Sequence, residues 1–310
     1  MPHAILPFMG KFVYVSEDEV KKNLPMDIMI DSLKEVFIEA SLGKAGFLPR
    51  SRLTFHDGLI NTLPAFIEGY NIAGLKTYLA GKSGHCGVVV VFNMKTFEPL
   101  ACIESNVLGQ RRTGALPAML TREIHPDAEK FLLVGSGFQA ETQLWGMHEA
   151  IEPSTINVYS RNIDNSTRFA ERMFLTHGIR CTPIGDLSDA SEYDVISTIT
   201  NSNRPILERK DLGERYHINL AGSNMMRRRE VAVDILLDAD TIIVEDLEEA
   251  KIESAEIVDV IGKKPVLELK NLFLPDGMPE RTGKTIFKTM GLGVEDLAAA
   301  HIVLKSMGVI

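Results

Sequence analysis

Residues 131–140 read Phe131-Leu132-Leu133-Val134-Gly135-Ser136-Gly137-Phe138-Gln139-Ala140. The four leading apolar residues predict a strand that is buried on both faces, and a helix is expected to begin at Ala140. Between them lies a turn of the form G-x-G-x-x-A, in which the first glycine permits the tight turn and the second lets the backbone approach a pyrophosphate. The free amides at the start of the helix attract the phosphates. The stretch therefore predicts a dinucleotide site formed by Gly135, Ser136, Gly137, Phe138, Gln139 and Ala140.

Strands and helices alternate along the chain from about residue 116 onward. Residues 155–159, 179–183, 194–198, 217–220 and 241–244 are predicted as short strands, and a helix is predicted between the first two of them. Such alternation is typical of a doubly wound parallel sheet. Before residue 116, a helix predicted over residues 26–42 is followed by short strands with turn residues between them. We therefore predict the α/β class, with a Rossmann doubly wound parallel sheet and a smaller α+β domain.

The end of the second predicted strand bears on the choice between NAD and NADP. An acidic residue there would bind both ribose hydroxyls and repel a 2′-phosphate. The chain has Ser160 in that place, followed by Arg161 and Asn162. A hydroxyl followed by a guanidinium suits a phosphate better than a diol, although a solvated surface role for Arg161 is the alternative. We expect the cofactor to be NADP or NAD, with NADP preferred.

Composition excludes several classes of protein. The chain has 310 residues, enough for two domains, and its formal net charge of −9 gives no overall field to attract nucleic acid. No apolar run reaches the roughly 18 residues that span a bilayer. The three cysteines and eight histidines show no spacing typical of a metal site. We expect no nucleic acid, membrane or metal partner, and because residues 1–10 lack the features of a signal peptide, a cytoplasmic protein.

Four motifs, in order along the chain, resemble those of the ornithine cyclodeaminase/mu-crystallin family. Leu63-Pro64-Ala65-Phe66 followed by Gly74-Leu75-Lys76 is similar to the family's M-P-A-Y and G-x-K, and residues 108–115, L-G-Q-R-R-T-G-A, are similar to L-T-x-x-R-T-A-A. Residues 134–140 are similar to G-x-G-x-Q-A, and residues 287–296, F-K-T-M-G-L-G-V-E-D, to F-K-S-x-G-x-A-x-x-D. Four loose motifs in the right order make a chance match improbable.

The resemblance implies a homodimer in which the Rossmann domain, residues 116–285, is inserted in a substrate-binding and dimerisation domain made of residues 1–115 and 286–310. It also implies hydride transfer between a nicotinamide and the α-carbon of a small amino or imino acid. The family's activities are amino-acid dehydrogenation, as in alanine dehydrogenase, reduction of cyclic imines (ketimines), and ornithine cyclodeamination. Thr113 and Thr200 are expected to contact the cofactor.

The same resemblance assigns the substrate's carboxylate to Arg50 and Arg112, a role that suits arginine because its planar fork binds both oxygens. Arg52 is a rival for the place of Arg50, since the two lie so close in sequence. Lys76 matches the lysine of G-x-K and stands in a largely apolar run, where a lysine is costly unless it is paired or functional. Desolvation and neighbouring arginines are expected to lower the pKa of Lys76, so that it exchanges a proton with the substrate nitrogen.

The sequence departs from the family at Asn224, in the substrate site, where cyclodeaminases and several dehydrogenases carry aspartate. An amide keeps the hydrogen bonds of a carboxylate but supplies neither charge nor base. The leading hypothesis is therefore an NAD(P)-dependent amino-acid or imino-acid oxidoreductase, with ornithine cyclodeaminase as the alternative. A third hypothesis is a nicotinamide-binding protein without activity, because the family includes lens crystallins. Lys76 and Arg112 together argue against it, since storage requires neither.

Overall fold

The computed structural model describes residues 12–82, 84–222, 224–279 and 283–310. The chain divides into two compact units: unit 1 takes the chain up to Pro25, Leu42–Gly109 and Leu292–Ile310, and unit 2 takes Met26–Ser41 and Gln110–Gly291. The N-terminal residues on which the expected localisation rests lie outside the described ranges. None of the described helices is long and apolar enough to cross a membrane.

Unit 1 is built on a seven-stranded, mainly antiparallel sheet in the order β1-β7-β6-β5-β4-β2, with β3 also pairing β4. Its strands are β1 (Val13–Val15), β2 (Ala45–Phe47), β3 (Ser51–Phe55), β4 (Gly58–Ile67), β5 (Ile72–Gly81), β6 (Gly84–Asn93) and β7 (Pro99–Glu104). Two of its helices are α1 (Glu17–Asn23) and α9 (Gly293–Ser306). The buried helix α9 packs on β4 and β5, and this contact brings the C-terminal motif to the centre of the sheet.

Unit 2 contains an eight-stranded parallel sheet in the order β10-β9-β8-β11-β12-β15-β13-β14. This sheet confirms the predicted α/β class. Its strands are β8 (Lys130–Val134), β9 (Thr155–Tyr159), β10 (Thr182–Ile184), β11 (Val195–Thr198), β12 (Tyr216–Leu220), β13 (Thr241–Val244), β14 (Val266–Glu268) and β15 (Lys284–Lys288). Its helices are α2 (Met26–Ser41), most of α3 (Asn106–Ile124), α4 (Ala140–Ile151), α5 (Ile163–His177), α6 (Val233–Asp238), α7 (Leu247–Glu253) and α8 (Ala255–Val258).

The unit boundaries differ from those expected at residues 115 and 285. The first boundary falls inside α3, between Gly109 and Gln110, and the second follows Gly291. A boundary at residue 285 would cut β15, which pairs with β12 on one side and β13 on the other. Helix α2 groups with unit 2, where it packs against α4.

Helix α3 crosses α4 at two glycines. A Cβ on Gly114 would lie 2.1 Å from the backbone oxygen of Thr142, and a Cβ on Gly146 would lie 2.7 Å from that of Gly114. Side chains at these positions would push the helices apart. The crossing fixes α3 against the helix that begins at the glycine-rich turn.

Candidate functional site

The glycine-rich turn joins β8 to α4, as the sequence predicts. Gly135 has φ +127°, and a Cβ there would lie 2.4 Å from the backbone oxygen of Ile199, so the turn requires glycine. No heavy atom outside its chain neighbours lies within 4 Å of a Cβ built on Gly137. Ala140 is fully buried at the start of α4. A tight turn, an open approach and a small packed residue together fit the pyrophosphate of a dinucleotide.

A cavity of about 500 Å³ opens at this turn. The sheet order reverses direction between β8 and β11, and a dinucleotide binds at the carboxyl ends of the strands at such a point. The cavity brings together six of the predicted cofactor residues: Gly135, Ser136, Gly137, Ser160, Arg161 and Thr200. Its lining also includes Asn201, Ser202 and Ile206.

Five other predicted cofactor residues do not line this cavity in the described structure. Asn162 caps α5, because its side-chain oxygen accepts from the amide of Asp164 at 2.9 Å. The backbone oxygen of Phe138 accepts from Gln110, and that of Thr113 accepts from Gln143. The remaining two are Gln139, at the start of α4, and Ala140.

Two arginines that the sequence analysis missed also line the cavity. Arg168 and Arg172 lie on α5 together with Asn165, at helical spacings of three and four residues that place all three on one face. Arg172 also approaches the carboxylate of Glu141 at 3.7 Å. No aspartate or glutamate is among the described lining residues. In the sequence, Asn165, Arg168 and Arg172 follow the end of the predicted strand at spacings of three and four residues. This helical spacing is the signal that would have identified the two arginines.

Lys76 is buried in β5 of unit 1. Only 7% of the residue is exposed, and its ammonium lies 3.1 Å from a carboxylate oxygen of Asp296, which is fully buried in the first turn of α9. A carboxylate in contact favours the charged ammonium form and opposes the effect of desolvation. The buried carboxylate of Asp296 therefore fixes the position of the Lys76 side chain.

The ammonium of Lys76 also packs on Gly109 of α3. A Cβ on Gly109 would lie 2.6 Å from the nitrogen of Lys76. The family motif has threonine where Gly109 stands. The ammonium of Lys76 comes this close to α3 because Gly109 has no side chain. The position of the ammonium is thus set by β5, α9 and the first turn of α3.

Arg50 and Arg52 differ in burial. Only 8% of Arg50 is exposed, whereas Arg52 is an exposed residue of β3 whose side chain donates to Asn61 at 3.1 Å. A buried guanidinium keeps less of its hydration and binds a carboxylate more strongly than an exposed one. Burial therefore favours Arg50 over Arg52 as the carboxylate ligand.

Arg112 is buried in unit 2, with 8% of the residue exposed. Its guanidinium packs on Gly291, where a Cβ would lie 2.4 Å from the nearest nitrogen, and Gly291 has φ +87°. The amides of Met290 and Gly291 both donate to the buried carboxylate of Glu245, at 2.9 and 2.7 Å. Glu245 thus fixes the turn that supports the guanidinium.

Asn224 lies in the loop after β12 and is half-buried. Ser223, in the same motif, is outside the described residues. Two residues before Asn224, the amide of Gly222 donates to Glu230 at 2.8 Å. Burial raises the pKa of the Glu230 carboxyl above its usual value, and the ammonium of Lys288 opposes that effect. Sequence reasoning did not identify Glu230, because in the sequence this residue is notable only for following the basic run Arg227-Arg228-Arg229.

No group of three or more histidine, cysteine, aspartate or glutamate residues in the described part of the chain is arranged to hold a metal ion.

The model of the ornithine cyclodeaminase/mu-crystallin family matches residues 11–308. The chain belongs to this family. Among relatives in the family, alanine dehydrogenase of Archaeoglobus fulgidus is 27% identical over 310 residues and is matched over 94% of each chain. Delta(1)-pyrroline-2-carboxylate reductase of Bacillus cereus is 28% identical over 260 residues, which cover 77% of this chain and 78% of the relative.

A solved structure of the same family has closely the same fold. It is the dimer of an archaeal alanine dehydrogenase with bound NAD, with a TM-score of 0.86, 25% identity and 95% of each chain covered. These members of the family are oxidoreductases, and NAD is bound in the archaeal structure that this chain resembles.

Proposed function

We propose that this chain transfers hydride between a nicotinamide cofactor and the α-carbon of a small imino or amino acid. The observation that carries the proposal is the cavity at the glycine-rich turn, which contains six predicted cofactor residues in a chain related to a dehydrogenase and an imine reductase. The nicotinamide supplies or accepts the hydride. The residues of the chain bind the two reactants, exclude water and manage the proton.

Lys76 is the proposed proton donor. Reduction of an imine adds a hydride to carbon and a proton to nitrogen, and the paired ammonium of Lys76 has a proton to give. In the oxidative direction, a neutral Lys76 would take the proton back from the amine. Asp296 favours the charged state of Lys76 between turnovers.

Arg50 and Arg112 are the proposed ligands of the substrate's α-carboxylate. Both side chains are largely buried, and a guanidinium binds both oxygens of a carboxylate in a fixed orientation. Asn224 is proposed as a neutral hydrogen-bonding contact with the substrate. This set favours a substrate with one carboxylate and no second amine.

A panel of imino acids tests the proposed function. Five- and six-membered cyclic imines with an α-carboxylate, pyruvate with ammonia, and oxaloacetate with ammonia would each be assayed with NADH and with NADPH. We expect at least one imine to consume nucleotide and substrate in equal amounts. If no member of the panel is reduced with either nucleotide, the proposal is wrong.

We propose that NADPH is preferred over NADH. Ser160 stands where an acid would bind the ribose diol, and Arg161, Arg168 and Arg172 line the same cavity. Arginines bind a phosphate through charge-assisted hydrogen bonds that a diol does not make. The affinity for NADPH should therefore exceed that for NADH, and Arg161→Ala or Arg168→Ala should weaken NADPH by about tenfold or more while leaving NADH nearly unchanged. Titration of nucleotide fluorescence with the unmodified protein and each variant gives these affinities.

Arg180→Ala is the matched control for these variants. Arg180 is also exposed in unit 2, but it lies over the ring of Phe174 and outside the cavity lining. Its loss should change neither affinity. A clear preference of the unmodified protein for NADH would contradict the assignment of the 2′-phosphate to the arginine cluster, which consists of Arg161, Arg168 and Arg172.

We also propose that the chain forms a homodimer. The structural relative described above is a dimer. In unit 1, Leu53 and Phe55 on β3 and Leu79 on β5 are between 45% and 69% exposed, and their two strands pair with opposite edges of β4. Clustered exposed apolar side chains of this kind mark interaction surfaces.

A further inference from the structure

Glu230 is a fully buried carboxylate that joins two loops of unit 2. One of its oxygens accepts from the amide of Thr200 at 2.7 Å and from the hydroxyl of Thr200 at 2.9 Å. The other accepts from the amide of Gly222 at 2.8 Å. Thr200 follows β11 and Gly222 follows β12. The carboxylate therefore ties together the carboxyl ends of two neighbouring strands.

The backbone of Glu230 adds a third connection. Its carbonyl oxygen accepts from the amide of Ile206 at 2.7 Å, and Ile206, like Thr200, lines the cofactor cavity. The loops approach each other so closely that a Cβ on Gly222 would lie 2.3 Å from both Thr200 and Glu230. Glu230 lies behind this part of the cavity wall and is not among its lining residues.

Lys288 and Glu256 support Glu230 from behind. The amide of Glu230 donates to Glu256 at 2.8 Å, and the ammonium of Lys288 lies 3.6 Å from the other oxygen of Glu256. Lys288 also donates to the backbone oxygen of Leu220, the last residue of β12, at 3.2 Å. Lys288 and Glu256 are almost completely buried. The chain of contacts thus holds the ends of β11, β12 and β15.

These three strands form one side of the reversal point in the sheet. A dinucleotide-binding sheet consists of two halves, each of which binds one mononucleotide. The glycine-rich turn, Ser160 and Arg161 follow β8 and β9, so residues on that side would hold the adenosine half. The loops after β11 and β12, which Glu230 joins, would then hold the nicotinamide half.

We infer that Glu230 is a positioning residue for the nicotinamide half of the cofactor and for the loop that carries Asn224. The inference rests on the proposed function only in naming the ligand. Glu230 acts through Thr200 and Gly222, and it touches neither cofactor nor substrate.

The amide variant Glu230→Gln tests this role because it keeps size while changing the donor pattern. A carboxylate accepts all three hydrogen bonds, whereas glutamine has one acceptor oxygen and a donor nitrogen. If the oxygen stays with Thr200, the nitrogen meets the amide of Gly222, and two donors repel each other. We expect the loop after β12 to move, while the glycine-rich turn and the arginine cluster stay in place.

The measurement is a comparison of whole dinucleotides with their adenosine halves. For Glu230→Gln, the dissociation constants of NADPH and NADH should rise by about ten- to a hundredfold, the range expected for losing a hydrogen bond to a charged acceptor. The constants for adenosine 2′,5′-bisphosphate and ADP should stay within about twofold. The matched control is Glu253→Gln, a buried glutamate of α7 outside the cavity lining, which should leave all four constants unchanged.

Three results would overturn the inference. Glu230→Gln could weaken the binding of dinucleotides and of their adenosine halves equally, or it could weaken neither. The third is that Glu253→Gln also weakens the binding of dinucleotides but not that of their adenosine halves. If Glu230→Gln does not fold, Glu230→Asp keeps the charge, withdraws it by one methylene and should show the same split. Binding needs no turnover, so the two proposals fail separately. If Glu230→Gln weakens only the dinucleotides but the unmodified protein reduces no imine, only the proposed function is rejected. If an imine is reduced but Glu230→Gln affects dinucleotides and adenosine halves alike, only the role of Glu230 is rejected.

Discussion

Replacing Lys76 by alanine is expected to lower turnover by about two to four orders of magnitude, because the variant has no group to deliver the proton to the substrate nitrogen. Nucleotide affinity should stay unchanged, since Lys76 is not among the residues that line the cofactor cavity. Single-turnover reduction of an imine, followed by nucleotide absorbance, measures the effect. Lys82→Ala, at an exposed lysine that directly follows the same strand, is the control and should behave as the unmodified protein.

Removal of Lys76 also leaves the carboxylate of Asp296 buried without its cation, which costs about 3–5 kcal/mol of folding free energy. The double variant Lys76→Met with Asp296→Asn removes both charges and should regain much of that stability without regaining turnover. Near-normal turnover in any folded Lys76 variant would make the lysine structural rather than catalytic.

A smaller change at Gly109 separates activity from stability. The added methyl group of Gly109→Ala would lie 2.6 Å from the nitrogen of Lys76 and must displace the ammonium. A displacement of about 1 Å lowers turnover by up to about a hundredfold. The unfolding temperature should fall by less than in Lys76→Ala, since the ammonium is kept and alanine favours a helix over glycine by about 1 kcal/mol. Full activity in this variant would show that the ammonium need not be held at this point.

Local pattern was enough to predict most strands of the parallel sheet, including β8, β9, β11, β12 and β13. Each is a short segment rich in apolar or β-branched residues, and helical or turn segments separate it from the next. Helix α3 is not predicted, because Gly109, Gly114 and Pro117 lower its helix propensity and only tertiary packing compensates. Strand β15 lies between β12 and β13 although it follows both in sequence, and no local signal specifies that insertion.

In the candidate site, too, features formed by consecutive residues could be predicted, whereas contacts between residues distant in sequence could not. The glycine-rich turn was predicted because its chemistry is contained in ten consecutive residues. The partner of Lys76 was not, since Asp296 is 220 residues away and meets it only after α9 packs on the sheet. Glu230 was missed because its partners, Thr200 and Gly222, are separated in sequence and meet only when β11 and β12 pair.

L-Ornithine with catalytic NAD or NADP is expected to yield little or no proline and ammonium, at a rate about two to four orders of magnitude below imine reduction. Cyclodeamination oxidises the α-carbon of ornithine, adds the δ-amine to the resulting imine with release of ammonia, and then reduces the cyclic imine to proline with the hydride that the first step removed. The attacking amine must be neutral, yet a lysine-like amine with a pKa of about 10.4 is almost fully protonated near pH 7. A carboxylate would accept that proton, whereas the amide of Asn224 only orients the nitrogen. Rapid proline formation, measured beside stoichiometric imine reduction on the same sample, would show that another base accepts the proton.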